Sequence, residues 1–85
     1  MKNKIYRITF KEESHFERFI TYPYQFTSKN KKKRRVKVYL KDGNINQLLQ
    51  DIDGMNIEEF QEIPFTLEDY FMQYYKGNRI FEEVR

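Results

Sequence analysis

The stretch Arg35-Val36-Lys37-Val38-Tyr39-Leu40 decides the fold. Val36, Val38 and Leu40 alternate with Arg35, Lys37 and Tyr39, the period-two pattern of a half-buried strand. Upstream lies Ser28-Lys29-Asn30-Lys31-Lys32-Lys33-Arg34, a run with no apolar residue and strong self-repulsion. It separates this strand from a second alternating segment, Tyr24-Gln25-Phe26-Thr27, so the two read as a hairpin around a solvated loop. Downstream, Asp42-Gly43 makes a turn and Asn44 is placed to cap a helix. Ile45, Leu48, Leu49 and Ile52 then repeat at helical spacing until Gly54 stops the helix.

The same logic extends to both ends. In Ile5-Tyr6-Arg7-Ile8-Thr9-Phe10, Tyr6, Ile8 and Phe10 share one face of a strand, and Arg7 and Thr9 the other. Ser14 and Glu17 have capping-box spacing in front of Phe16, Phe19 and Ile20, which predicts a two-turn helix ended by Pro23. In the segment Ile57 to Ile63, Phe60 is out of phase with Ile57 and Ile63, as in a bulged edge strand whose acids Glu58, Glu59 and Glu62 discourage further pairing. The order strand, helix, strand, strand, helix, strand is that of an α+β, ferredoxin-like βαββαβ sandwich: a four-stranded antiparallel sheet with strands one and three in its centre.

A further helix follows in Pro64-Phe65-Thr66-Leu67-Glu68-Asp69-Tyr70-Phe71-Met72-Gln73-Tyr74-Tyr75. Thr66 caps it, Asp69 stands where a carboxylate reaches back, and both Glu68 and Asp69 lie at the positive end of the helix dipole. Phe65 and Tyr70 have staple spacing, and Leu67, Tyr70, Phe71 and Tyr74 form one apolar face that docks on the sheet. Gly77 ends the helix, so residues 1–77 read as one domain including a C-terminal helix over 66–76, and residues 78–85 as a tail, helical or frayed.

Composition limits the function classes. Fifteen Phe and Tyr in 85 residues support a core of rings, while 34% charged residues leave no room for a membrane span. The absence of Cys removes disulfides and thiolate chemistry and favours a cytoplasmic setting. No phosphate-cradling loop surrounds Gly43, Gly54 or Gly77, and His15 is a single histidine, read as a surface residue rather than a metal ligand. The expectation is a chain that is not itself an enzyme and holds no cofactor or metal. Charge is its most uneven property. Residues 1–41 carry thirteen Lys and Arg against three acids, and residues 42–85 carry three against ten, giving halves of +10 and −7. The candidate contact residues for a polyanion or partner are Lys29, Lys31, Lys32, Lys33, Arg34 and Arg35, in a span to Lys37 with seven positive charges. Such a loop suits nucleic acid or anionic lipid, although the third strand lacks the glycine and paired aromatics of an RNA-recognition strand.

The block Pro64 to Phe71, preceded by Ile45 to Ile63, resembles the closing segment of ATP-binding subunits of bacterial ABC transporters of the drug, antibiotic and multidrug export type. There a small accessory domain follows the ATPase core. The resemblance is best over residues 36–75 and topological over 1–35, where Lys29 to Arg35 is particular to this chain. It implies a noncatalytic regulatory or dimer-stabilising domain serving export, at the cytoplasmic face of the membrane. The implied partners are its own ATPase domain, a second copy of the subunit in a homodimer, and, indirectly, the permease. ATP and Mg²⁺ would bind the ATPase domain. The alternative is an independent basic module using Lys29 to Lys37.

Overall fold

The computed structural model describes residues 3–68 and residue 71. Its elements are β1 (Lys4–Phe10), α1 (Glu13–Phe19), β2 (Gln25–Asn30), β3 (Arg35–Leu40), α2 (Asn46–Asp51) and β4 (Ile57–Ile63). The sheet order is β2-β3-β1-β4, every neighbouring pair antiparallel, with β3 and β1 in the centre as the sequence predicts. This is the ferredoxin-like α+β arrangement, and both edges belong to the strands richest in polar residues.

One face of the sheet carries the core. Tyr6, Ile8, Phe10, Val36, Val38 and Leu40 are buried against Phe16 and Phe19 of α1, Leu48 of α2 and Ile52 at its C-cap. Phe19 is its ring hub, with centroids 5.3 Å from Phe10, 5.5 Å from Tyr22, 5.3 Å from Tyr24 and 5.8 Å from Phe26. Offset and edge-on geometries of this kind add to the burial of apolar area. The Tyr24 hydroxyl also donates to the Asp51 carboxylate, tying the entry to β2 to the end of α2. Burial first, and then that bond, push the Tyr24 phenol far above its ordinary range.

Several local expectations change. Ser14 and Glu17 form no capping box: α1 begins one residue before Ser14, at Glu13, and its N-cap Glu12 makes no side-chain cap bond. The first helical bond, Phe16 N–H to Glu12 O at 3.2 Å, is set by the need to bring both Phe16 and Phe19 onto the sheet. Glu17 instead faces Lys31 at 3.6 Å. The helix stops at Phe19, ahead of Pro23, where the Arg18 carbonyl accepts both the Thr21 N–H at 3.1 Å and the Thr21 hydroxyl at 2.6 Å. The N-cap of α2 is Ile45 rather than Asn44, with no side-chain cap bond; Asn44, one residue earlier, accepts the Asn46 N–H at 3.0 Å in the turn that leads in, while Leu49 falls on the exposed side of that helix. His15 contributes to tertiary structure by accepting the Asn56 N–H on Nδ1 at 3.1 Å.

The basic loop is shorter than the charge pattern implies. β2 runs on to Asn30, leaving residues 31–34 as the turn. Exposed lysines tolerate an edge strand, and Lys29 lays its ammonium 5.2 Å from the Phe26 ring centroid. Asn30 accepts the Lys33 N–H at 3.0 Å, and Arg34 closes the turn at φ 53°, in the left-handed region. Both edge strands contain a bulge. Thr9 pairs with Glu59 and Phe10 with Ile57, which leaves Glu58 as the extra residue of β4 and restores Phe60 to the core side, 5.4 Å from Tyr6. In β2 the extra residue is Thr27, between the Phe26–Val38 and Ser28–Lys37 pairs. That second bulge has no counterpart in the sequence pattern.

Candidate functional site

The second face of the sheet, away from α1 and α2, gathers the polar chemistry. Directly paired residues of antiparallel strands point to the same side. The register therefore sets three rows across this face: Asn30, Arg35, Thr9 and Glu59; then Ser28, Lys37, Arg7 and Gln61; then Gln25, Tyr39, Ile5 and Ile63.

The third row is apolar apart from the exposed Gln25 at the β2 edge. Ile5, placed by alternation with Arg7 and Thr9, is nevertheless fully buried. The chain after β4 turns onto this row, bringing the Phe65 ring to 5.6 Å from Tyr39. The helix expected next begins at Leu67, within the described residues, and Leu67 and Phe71 are both exposed. Thr66 is exposed at its start. Asp69, Tyr70 and Tyr74 lie outside the described residues, as do most of the helix expected over 66–76 and the tail 78–85.

Glu59 of the first row ties the first and middle rows into a polar network. Arg7 donates Nη2 to Glu59 Oε2 at 3.0 Å and to Gln61 Oε1 at 3.1 Å. Thr9 donates its hydroxyl to Glu59 Oε1 at 3.3 Å and accepts the Arg35 Nε–H at 2.8 Å. Arg35 Nη2 lies 3.8 Å from Glu59 Oε1. The Arg7 hydrogen bond, more than any other contact, holds the Glu59 carboxyl below its ordinary range. Because the folded state prefers the ionised form, Glu59 contributes stability above its unfolded value of 4.5, and that contribution is lost as pH falls through the lower folded value. We expect the stability advantage of the native chain over Glu59→Gln to be constant from about pH 7 to about pH 5 and to vanish progressively below that. Urea midpoints across this range measure it; a pH-independent difference contradicts the network.

The middle row is incompletely paired. Lys37 stands directly opposite Arg7, a like-charge cross-strand pair. Among the described residues no carboxylate lies within ion-pair distance of Lys37. The Arg7 Nε and Thr27 Oγ1 atoms are buried without a hydrogen-bond partner among those residues. Over this row opens a cleft of about 490 Å³, with Arg7 and Lys37 on one side and Thr27 and Ser28 at the β2 bulge. Ile63, Pro64, Thr66 and Glu68 form the wall contributed by β4 and the segment after it.

The sequence-predicted basic residues separate into two groups. Arg34 and Arg35 are structural: Arg34 donates Nε to the Phe10 carbonyl at 2.9 Å, and Arg35 belongs to the Glu59 network. Lys29, Lys31, Lys32 and Lys33 stay exposed at the hairpin tip, Lys31 beside Glu17. Of the cleft residues, Arg7, Thr27 and Ser28 were not singled out by the sequence and Lys37 only as the end of the basic span, because each strand shows only that it has a polar side. Their convergence depends on register.

The family model for the C-terminal domain of DrrA1-3-like ATP-binding proteins matches residues 1–75. The chain belongs to this family. The DrrA1-3-like match includes the segment 1–35, where the resemblance read from the sequence was topological, and it agrees with an ABC transporter ATP-binding accessory domain. No curated protein and no solved structure matches the chain. Among the described residues of this DrrA1-3-like domain, no helix is long and apolar enough to cross a membrane.

Proposed function

We propose that this chain is a noncatalytic accessory domain of a bacterial ABC exporter's ATP-binding protein, acting by contact at the cytoplasmic face of the membrane. The observation that carries the reading is the family match over residues 1–75. Within it, the exposed Leu67 and Phe71 belong to the segment that resembles the end of exporter subunits, and they offer apolar contacts to the ATPase core or to a second copy. The +10 and −7 halves favour complementary association and thereby a regulatory or dimer-stabilising role. ATP and Mg²⁺ are assigned to the ATPase domain, and the permease is reached only through it.

The test compares an ATPase core of this family with and without residues 1–85 joined to it. We expect the joined domain to change ATP turnover or the dimerisation constant by about fivefold or more. Equal turnover, assembly and export would sink the reading. A second reading, polyanion binding by an independent module, draws on the exposed Lys31, Lys32 and Lys33 at the hairpin tip. It requires affinity for nucleic acid or anionic vesicles that falls steeply with salt and is lost when these three lysines become Gln.

A further inference from the structure

We propose that the cleft on the second sheet face binds a small organic molecule carrying a single oxyanion. The inference does not rest on the exporter reading. Four independent features converge on it. The cleft, about 490 Å³, falls within the size range of small-molecule sites. Its polar side carries Arg7 and Lys37 as directly opposed neighbours, an arrangement that a bound negative charge between them would relieve. Arg7 uses its Nη2 on Glu59 and Gln61, whereas its Nε is buried without an acceptor among the described residues, and Lys37 lacks a carboxylate there. Finally, the β2 bulge brings Thr27 and Ser28 together beside Lys37, and the buried Thr27 hydroxyl is also without a partner.

An unpartnered buried donor costs free energy that a ligand oxygen recovers. An oxyanion seated here accepts from the Lys37 ammonium and the Ser28 hydroxyl, and from Arg7 Nε or the Thr27 hydroxyl once a side-chain shift turns these buried atoms to the cleft, in charge-assisted bonds. Ile63 and Pro64 on the opposite wall suit an apolar body attached to that group. Glu68, also on that wall, sets the charge: with Glu59 already assigned to Arg7, it disfavours a second negative charge on the ligand.

The experiment titrates the 85-residue chain with benzoate, phenyl phosphate and neutral benzamide, following backbone amide and Arg Nε–H resonances. Benzoate should give saturable shifts at Arg7, Thr27, Ser28 and Lys37 and bind at least about tenfold more tightly than benzamide. Phenyl phosphate, as a dianion, should bind no more tightly than benzoate. Lys37→Gln should weaken benzoate about tenfold with the spectrum otherwise preserved, and Glu68→Gln, on an exposed segment, should strengthen phenyl phosphate several-fold. No saturable shift, equal binding of benzoate and benzamide, tighter binding of phenyl phosphate, or shifts confined to Lys29–Lys33 overturns the proposal. So does a failure of both substitutions to alter affinity.

Discussion

Replacing Phe19 with Ala should destabilise the domain by about 3–5 kcal/mol, the range for removing a large ring from a packed core. A domain of this length has roughly 4–13 kcal/mol in total, so much of its stability depends on this one side chain. The reason lies in the position of Phe19 at the point where α1, β1, β2 and the connection before β2 meet. Its ring is fully buried and contacts Phe10, Tyr22, Tyr24 and Phe26. Truncation leaves a cavity bordered by aromatic rings, which are rigid and collapse poorly into a void. Urea unfolding followed by far-ultraviolet dichroism gives the number directly. Phe19→Leu, which keeps much of the volume, should lose distinctly less, and a loss below about 1 kcal/mol for Phe19→Ala would show that the ring is not the hub described above.

Replacing Ile5 with Asp should be of comparable severity, about 3–5 kcal/mol, because it places an unpaired carboxylate where no part of the native side chain is exposed. This result separates two descriptions of the second face. Were that face an ordinary solvated sheet surface, the change would fall within about 0.5 kcal/mol, as for most exposed positions. Ile5→Ala provides the milder comparison, at about 2–4 kcal/mol for the lost methyl groups and the cavity they leave. The two values together tell whether the chain after β4 covers the third row in solution. A cheap Ile5→Asp would mean that Phe65 and its neighbours leave Ile5 open to water.

Much of this architecture is legible in the residues. Val36, Val38 and Leu40 specify the face of a central strand, whereas α2 ends earlier than the pattern places it, at Asp51 with Ile52 as its C-cap, and Gly54 takes φ 86° in the turn that follows. Phe60 announced a bulge because an extra residue is the physical way to reverse phase in a strand that must keep both Ile57 and Phe60 on the core side. Thr27 gave no such signal: the β2 segment beyond Phe26 is polar on both faces, so a slip in register leaves no trace in hydrophobic alternation. Ser14 misled because capping spacing is a local preference worth about 1 kcal/mol, whereas burying Phe16 and Phe19 together is worth several times that. At the candidate site, the hairpin lysines were visible as a charge run. The Arg7–Lys37 pair was not, since it is created by strands about thirty residues apart in the chain.

The placement of β1 between β3 and β4 also governs the order in which the domain can be completed. The first strand of the domain to emerge during synthesis is a central one, and its contacts with β4 span as much as the 58 residues between Lys4 and Glu62. At about 5–20 residues per second, β1 waits several seconds for its second neighbour. Until then one row of its backbone donors and acceptors is unpaired, beside the apolar side chains of the future core. A chain released before Ile57 would keep that row permanently open and be prone to intermolecular strand pairing, so the last strand acts as the closing step that makes the earlier ones safe.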